Sequence, residues 1–203
     1  MTMKTEALTG GFAEPVHQAQ GVFKLMMDGM ARPGTIQTVG GGGTVPPAPL
    51  GIAAGAIALT LCDHDTPVWL SAQLASPLIA DWLAFHTGAT VTQEKAEARF
   101  AFIEAGKALS SFGLFSIGTQ EYPDRSATIV IEIANFENGQ LLSLSGPGIL
   151  GTREIRPEGL PDAFLRLWAD NRVLFPRGID VVLAAADRFV CLPRTSKITV
   201  REI

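Results

Sequence analysis

Six side chains stand out for the chemistry that their types and settings allow: Asp63, His64 and Asp65 in one polar cluster, and Arg125, Arg177 and Arg194 beside glycine or proline turns. The cluster Asp63-His64-Asp65-Thr66 follows an Ala/Gly/Leu-rich segment and is held by Pro67 against the apolar run Val68-Trp69-Leu70. Two carboxylates flanking an imidazole are suited to moving protons or to holding a cation. Neighbours in one turn diverge, however, and Asp readily bonds its own backbone N–H groups, so the plainer expectation is an Asx-type turn. The three arginines suit a phosphate or phosphonate group, because the guanidinium fork meets an oxyanion through two parallel hydrogen bonds. A structural ion pair is the competing expectation for each.

Other chemistries fail on spacing. Gly40-Gly41-Gly42-Gly43 runs into Pro46-Pro47-Ala48-Pro49, and neither a Walker pattern nor a strand-linked Gly-x-Gly-x-x-Gly is present, so a loop is expected there and not a nucleotide cradle. The histidines His17, His64 and His86 lack helical ligand spacing, and Cys62 and Cys191 lack zinc-finger spacing, so no metal is expected. There is no Gly-x-Ser-x-Gly elbow. Lys4, Lys24, Lys95, Lys107 and Lys197 include none in a conspicuous buried-strand setting, which argues against pyridoxal phosphate; no cofactor is expected.

The elements that must position these residues draw on 203 residues, enough for one domain spanning 1–203, with 1–14 expected as a flexible N-terminal segment. A hydrophobic share of 47% with only 18% charged residues implies either a large two-sided sheet core or a surface covered by partners. A net charge of -4, with the basic residues scattered, argues against nucleic acid or an anionic membrane as partner. No apolar run reaches the roughly 20 residues of a membrane span, no signal peptide is visible, and the two cysteines read as free buried thiols, so a cytoplasmic location is expected.

Residues 15–30 set Val16, Ala19, Val22, Phe23, Met26, Met27 and Met30 at three- and four-residue spacings, an amphipathic helix whose stripe reads as core packing, with a grip on a partner as the alternative. Residues 39–49 form a long exposed connection. A helix over 50–61, a strand over 67–71 and a helix capped by Ser76-Pro77 and ended by Gly88 follow. Residues 99–104 read as a strand, 107–112 as a short helix and 113–125 as a loop. Strands at 127–134 and 141–145 read as a hairpin through Glu137-Asn138-Gly139. A short strand at 153–156, a helix over 161–171, strands at 179–184 and 188–192 and an edge strand within 195–202 complete an α/β class, with a mixed sheet covered on both faces.

Several segments resemble a known family: Leu61-Cys62-Asp63-His64-Asp65-Thr66-Pro67-Val68-Trp69-Leu70-Ser71, Phe85-His86-Thr87 and Leu144-Ser145-Gly146-Pro147-Gly148-Ile149. Phe175-Pro176-Arg177-Gly178-Ile179-Asp180-Val181 and Leu192-Pro193-Arg194-Thr195 complete the set. Together they closely resemble the PhnH family, a subunit of the bacterial carbon-phosphorus lyase system. The resemblance implies a three-layer α/β/α fold similar to the large domain of pyridoxal-phosphate-dependent transferases, without the cofactor. It also implies a homodimer that joins the G, I and J subunits and the ATP-binding subunits K and L. That system attaches an alkylphosphonate to the ribose triphosphate of ATP and releases adenine, with this subunit in an accessory role. No catalytic residue carries over from the resemblance. Residues 40–49 and 91–98 are this sequence's own.

Overall fold

Runs that are apolar at consecutive positions bury both faces of a strand, so they demand a sheet covered on each side. In the computed structural model, which describes residues 5–40, 44–106 and 109–201, that sheet has six strands. The elements in chain order are α1 (Pro15–Ala31), β1 (Gln37–Thr38), α2 (Ile52–Leu61), β2 (Val68–Leu70), α3 (Pro77–Thr87), β3 (Phe100–Ile103) and β4 (Thr128–Glu132). Then come β5 (Leu142–Ser145), β6 (Arg153–Ile155), α4 (Phe164–Val173), β7 (Asp180–Ala185), β8 (Arg188–Leu192) and β9 (Lys197–Val200). The large sheet runs β1-β8-β7-β4-β3-β2, with β2, β3, β4 and β7 parallel, β8 antiparallel to β7, and β1 antiparallel to β8. The fold is therefore α/β with a mixed sheet.

Strand alternation splits the core in two. Phe102, Val130, Val182 and Phe189 face a cluster built with α1, α2 and α3. Ile103, Ile129, Ile131, Val181 and Val190 face a second cluster, built with α4 and a three-stranded antiparallel sheet of order β6-β5-β9. The second face is thus covered by one helix and a small sheet. In α2, Ala53, Ala54, Gly55, Ala56 and Ala58 are all buried, because small side chains let the helix lie close to its neighbours. A Cβ on Gly55 would sit 2.8 Å from Pro46 Cγ, so the proline loop before α2 seats on that glycine.

Local signals read from the sequence hold where they are backbone rules. Ser76 Oγ accepts from the Ile79 N–H at 3.3 Å, Pro77 takes the first turn, and Gly88 ends α3 at φ +77°. Residues 188–192 form a strand with the bounds expected, and 195–202 contains the edge strand β9. Cys62 and Cys191 are buried and free, and burial pushes the Cys191 thiol up to about 12.

Other expectations need correction. The 127–134 and 141–145 strands do not form a hairpin: β4 lies between β3 and β7 in the large sheet, while β5 is the centre of the small one. β4 is buried at three consecutive positions, as a central parallel strand must be, whereas β5 alternates buried Leu with half-exposed Ser. The short helix expected at 107–112 falls partly outside the described residues; the turn found there is a 3-10 helix at Phe112–Leu114. The connection at 39–49 lies partly outside them too, at 41–43, and it is not uniformly exposed, since Thr44 is buried. The apolar stripe of α1 splits: Val22 and Met26 are buried against the sheet, while Val16, Phe23 and Met27 are exposed. Ahead of α1, Ala7 is buried, Trp82 Nε1 donates to the Thr9 carbonyl at 3.0 Å, and the Val45 N–H donates to the Gly10 carbonyl at 2.8 Å.

One long-range cap joins sheet and helix. Glu132, at the end of β4, accepts the N–H of Gly51 at the start of α2 through Oε1 at 2.5 Å. Burial lifts the Glu132 carboxyl above its ordinary 4.5; the Gly51 N–H opposes the rise, and the Glu104 charge adds to it. A carboxyl raised by folding holds its proton more tightly in the native state. Its contribution is therefore full below pH 4.5 and is lost as pH rises through the raised value. Glu132→Gln, which keeps an acceptor for Gly51 without the charge, is expected to flatten that part of the stability profile; urea unfolding at a series of pH values measures it.

Candidate functional site

The polar cluster singled out in the sequence is a self-contained turn. Asp63 Oδ1 accepts from the Asp65 N–H and from Thr66 Oγ1, each at 2.9 Å, and the Thr66 N–H closes the turn on the Asp63 carbonyl at 3.1 Å. The Thr66 hydroxyl bond comes first among the causes that hold the Asp63 carboxyl below its ordinary 3.8, followed by the Asp65 N–H. His64 pairs with Asp65 at 3.3 Å, with both side chains about four-fifths exposed, an arrangement that water and salt screen. Among the described residues no group of three or more His, Cys, Asp or Glu side chains is placed to hold a metal ion.

Arg194 is a clasp. Its Nε and Nη2 meet Asp180 Oδ1 and Oδ2 at 3.1 and 2.6 Å, and Nη2 also reaches Ser126 Oγ at 2.5 Å. Nη1 donates to the carbonyls of Pro123 and Pro176 at 2.8 and 3.4 Å, and the Arg194 backbone N–H adds a bond to Asp180 Oδ1 at 2.8 Å. A guanidinium has five N–H groups. All five are engaged with acceptors of the protein itself. The pair ties the start of β7, the end of β8, the Pro123–Arg125 turn and the start of β4 together.

Arg125 stands on the same sheet edge in another state. Its guanidinium lies 4.1 Å from the Tyr122 ring centre, and no side chain among the described residues forms an ion pair with it. Arg99, which sequence reasoning did not single out, joins it by donating from Nη1 to the Arg125 carbonyl at 2.8 Å. The two are 26 positions apart. Parallel pairing of β3 with β4, in the register Phe100 to Thr128, brings the chain ahead of both strands side by side, which no local motif announces. Arg99 and Arg125 line an open cleft of about 300 Å³ with Glu97, Ser116, Gly118 and Thr119. Arg177 is half-buried after Pro176, and among the described residues its Nε has no hydrogen-bond partner. The six candidates therefore fall apart into one turn, one clasp, one cleft and one loop.

The opposite edge, at the carboxyl ends of the parallel strands, is where open α/β folds take ligands. Here two of the groups that could meet a ligand are taken up by the protein itself. The N-terminus of α2, the natural seat for an anion, already holds the Glu132 carboxylate. Ser71 is buried there and donates no opening either, since its Oγ accepts the Glu104 N–H at 3.1 Å. Of the lysines, Lys24 and Lys197 are exposed, Lys95 lies 4.7 Å from the Trp69 ring centre, and Lys4 and Lys107 fall outside the described residues.

Segments far apart in sequence converge at the Arg194 clasp. Pro147, Phe175, Arg194 and Thr195 line one cavity of about 320 Å³ together with Arg172. Over residues 10–199 the sequence matches the family described as bacterial phosphonate metabolism protein (PhnH). The chain belongs to the PhnH family. Among PhnH relatives, the alpha-D-ribose 1-methylphosphonate 5-triphosphate synthase subunit PhnH of Rhizobium meliloti (strain 1021) is 56% identical over 198 residues, covering 98% of each chain. The provisionally named C-P lyase subunit protein HtxG of Stutzerimonas stutzeri is 29% identical over 85 residues, covering 42% of this chain and 44% of its own.

Two substitutions separate turn from clasp. Asp63→Ala is expected to lower the melting temperature at neutral pH, by an amount that shrinks as pH falls through the depressed Asp63 value, since a lowered carboxyl stabilises only while ionised. Thermal melts at neutral and strongly acid pH test the sign. Asp180→Ala leaves a largely buried guanidinium without its carboxylate and is expected to cost about 3–5 kcal/mol in denaturant unfolding, with Arg194→Lys also destabilising because one ammonium cannot keep both forks.

Proposed function

We propose that this chain is a subunit of an assembly that transfers the ribose triphosphate of ATP to an alkylphosphonate with release of adenine. In that assembly it is an accessory component and not the seat of chemistry. The observation that carries the reading is the near-complete match, at 56% identity over 98% of both chains, to a protein named as a subunit of alpha-D-ribose 1-methylphosphonate 5-triphosphate synthase. The accessory role is supported by the site itself, where Asp63 is taken up by its own turn, Asp180 by Arg194 and Glu132 by the start of α2. A stand-alone protein working through Asp63, His64 and Asp65 has less support, because the turn turns its carboxylate inward on its own backbone.

The chain is one cytoplasmic domain with a three-layer α/β/α plan, like the large domain of a pyridoxal-phosphate-dependent transferase without the cofactor. Support comes from α1, α2 and α3 on one face of the sheet and α4 on the other, and no helix among the described residues is long and apolar enough to cross a membrane. It forms a homodimer and joins the G, I, J, K and L subunits. The exposed ridge of Val16, Phe23 and Met27 on α1 supports contact with another protein surface.

Purified chain incubated with ATP and methylphosphonate is expected to release no adenine, and addition of the partner subunits is expected to start release. Chromatographic detection of adenine decides it. Release by this chain alone would overturn the accessory role.

A further inference from the structure

We propose that the cleft between Arg99 and Arg125 binds a tetrahedral phosphorus oxyanion, the group shared by a phosphonate and a terminal phosphate. Of the ten N–H groups on the two guanidiniums, one is committed to a protein acceptor among the described residues, the Arg99 Nη1 bond to the Arg125 carbonyl. Arg194, on the same edge, has all five engaged. Two guanidiniums drawn to one cleft without carboxylate partners repel each other until an anion enters.

The cleft is built around that pair. Ser116 Oγ donates to the Arg125 carbonyl at 2.9 Å, so the acceptor that positions Arg99 is itself fixed. Tyr122 holds the Arg125 guanidinium by its ring face, which leaves the planar edge and its donors outward. Thr119 Oγ1 accepts the Tyr122 N–H at 3.0 Å, and its own hydroxyl proton stays available. Gly118 at φ +73° forms the wall; a Cβ there would lie 2.8 Å from the Pro123 carbonyl oxygen. The volume of about 300 Å³ exceeds a bare phosphate and leaves room for an attached organic group. One acid, Glu97, also lines the cleft, and its carboxylate accepts from Thr92 Oγ1 at 3.2 Å. A locally cationic cleft on a chain of net charge -4 is a feature that the overall charge does not supply.

The choice of probes rests on the function proposed above, but the test uses the isolated chain. Calorimetric titration at low ionic strength with inorganic phosphate, methylphosphonate and ATP is expected to show saturable binding. Arg125→Gln is expected to weaken it about tenfold, Arg99→Gln similarly, Glu97→Gln to tighten it, and Arg166→Gln on α4 to leave it unchanged. Arg125→Gln removes no side-chain hydrogen bond among the described residues but gives up the stacking on Tyr122, so matched melting curves check that the fold is kept. Methylphosphonate tighter than ATP assigns the cleft to the phosphonate; the reverse order assigns it to the triphosphate. Silence with all three anions, or binding unchanged in Arg125→Gln, overturns the site. Either outcome leaves adenine release by the assembly a separate matter.

Discussion

The bond on which the arrangement of this protein depends is the fork between Asp180 and Arg194. It joins the first residue of β7 to the turn that follows β8, and by its other donors it fastens Ser126, Pro123 and Pro176. Those groups belong to the short 3-10 turn at Pro123–Arg125 and to the chain on either side of the strands. Their polar atoms would otherwise be half-desolvated at the foot of a buried sheet, a costly state. One planar cation with five donors satisfies them together, which an ammonium could not do. The neighbouring loop is secured in the same manner, as Asn171 Oδ1 accepts the Ile179 N–H and Nδ2 donates to the Ile179 carbonyl.

With that edge fixed, the two ends of the parallel strands take opposite characters. At the carboxyl end the molecule closes on itself, with Glu132 seated at the start of α2. At the amino end, positive side chains accumulate, some consumed by structure and some not. The difference between Arg194 and Arg125 is a difference in partners and not in residue type. It follows from where the nearest acid falls: the β7–β8 register, which pairs Val181 with Leu192, brings Asp180 beside Arg194, whereas Arg125 meets an aromatic ring.

Much of the fold was legible because its signals are local. The Ser76-Pro77 start and Gly88 end of α3 follow from missing donors and the left-handed conformation, which neighbours in sequence decide. The apolar strands announced themselves by composition. What composition does not carry is the choice of partner strand. The Glu137-Asn138-Gly139 turn invited a hairpin, yet β4 is buried at three positions in a row and β5 alternates, a contrast that already separates a central parallel strand from a half-exposed one. The fate of each arginine was likewise hidden, because Asp180 lies 14 positions from Arg194 and Arg99 lies 26 from Arg125. For Asp63 the turn chemistry sits within three residues, so there the plainer expectation was sound.

The small sheet carries a consequence for assembly of the chain. Its central strand, β5, pairs with β6 soon after it but with β9 only about 50 residues later, a long loop to close. Between the two events β5 has one edge bare, and the Ser196 carbonyl that receives Trp168 Nε1 has not arrived to lock α4 beside it. During synthesis the nascent chain therefore passes through a stage with an open strand edge beside an unsealed aromatic cluster of Phe112, Phe164 and Trp168. That interval exposes a strand edge and aromatic rings that the finished fold covers.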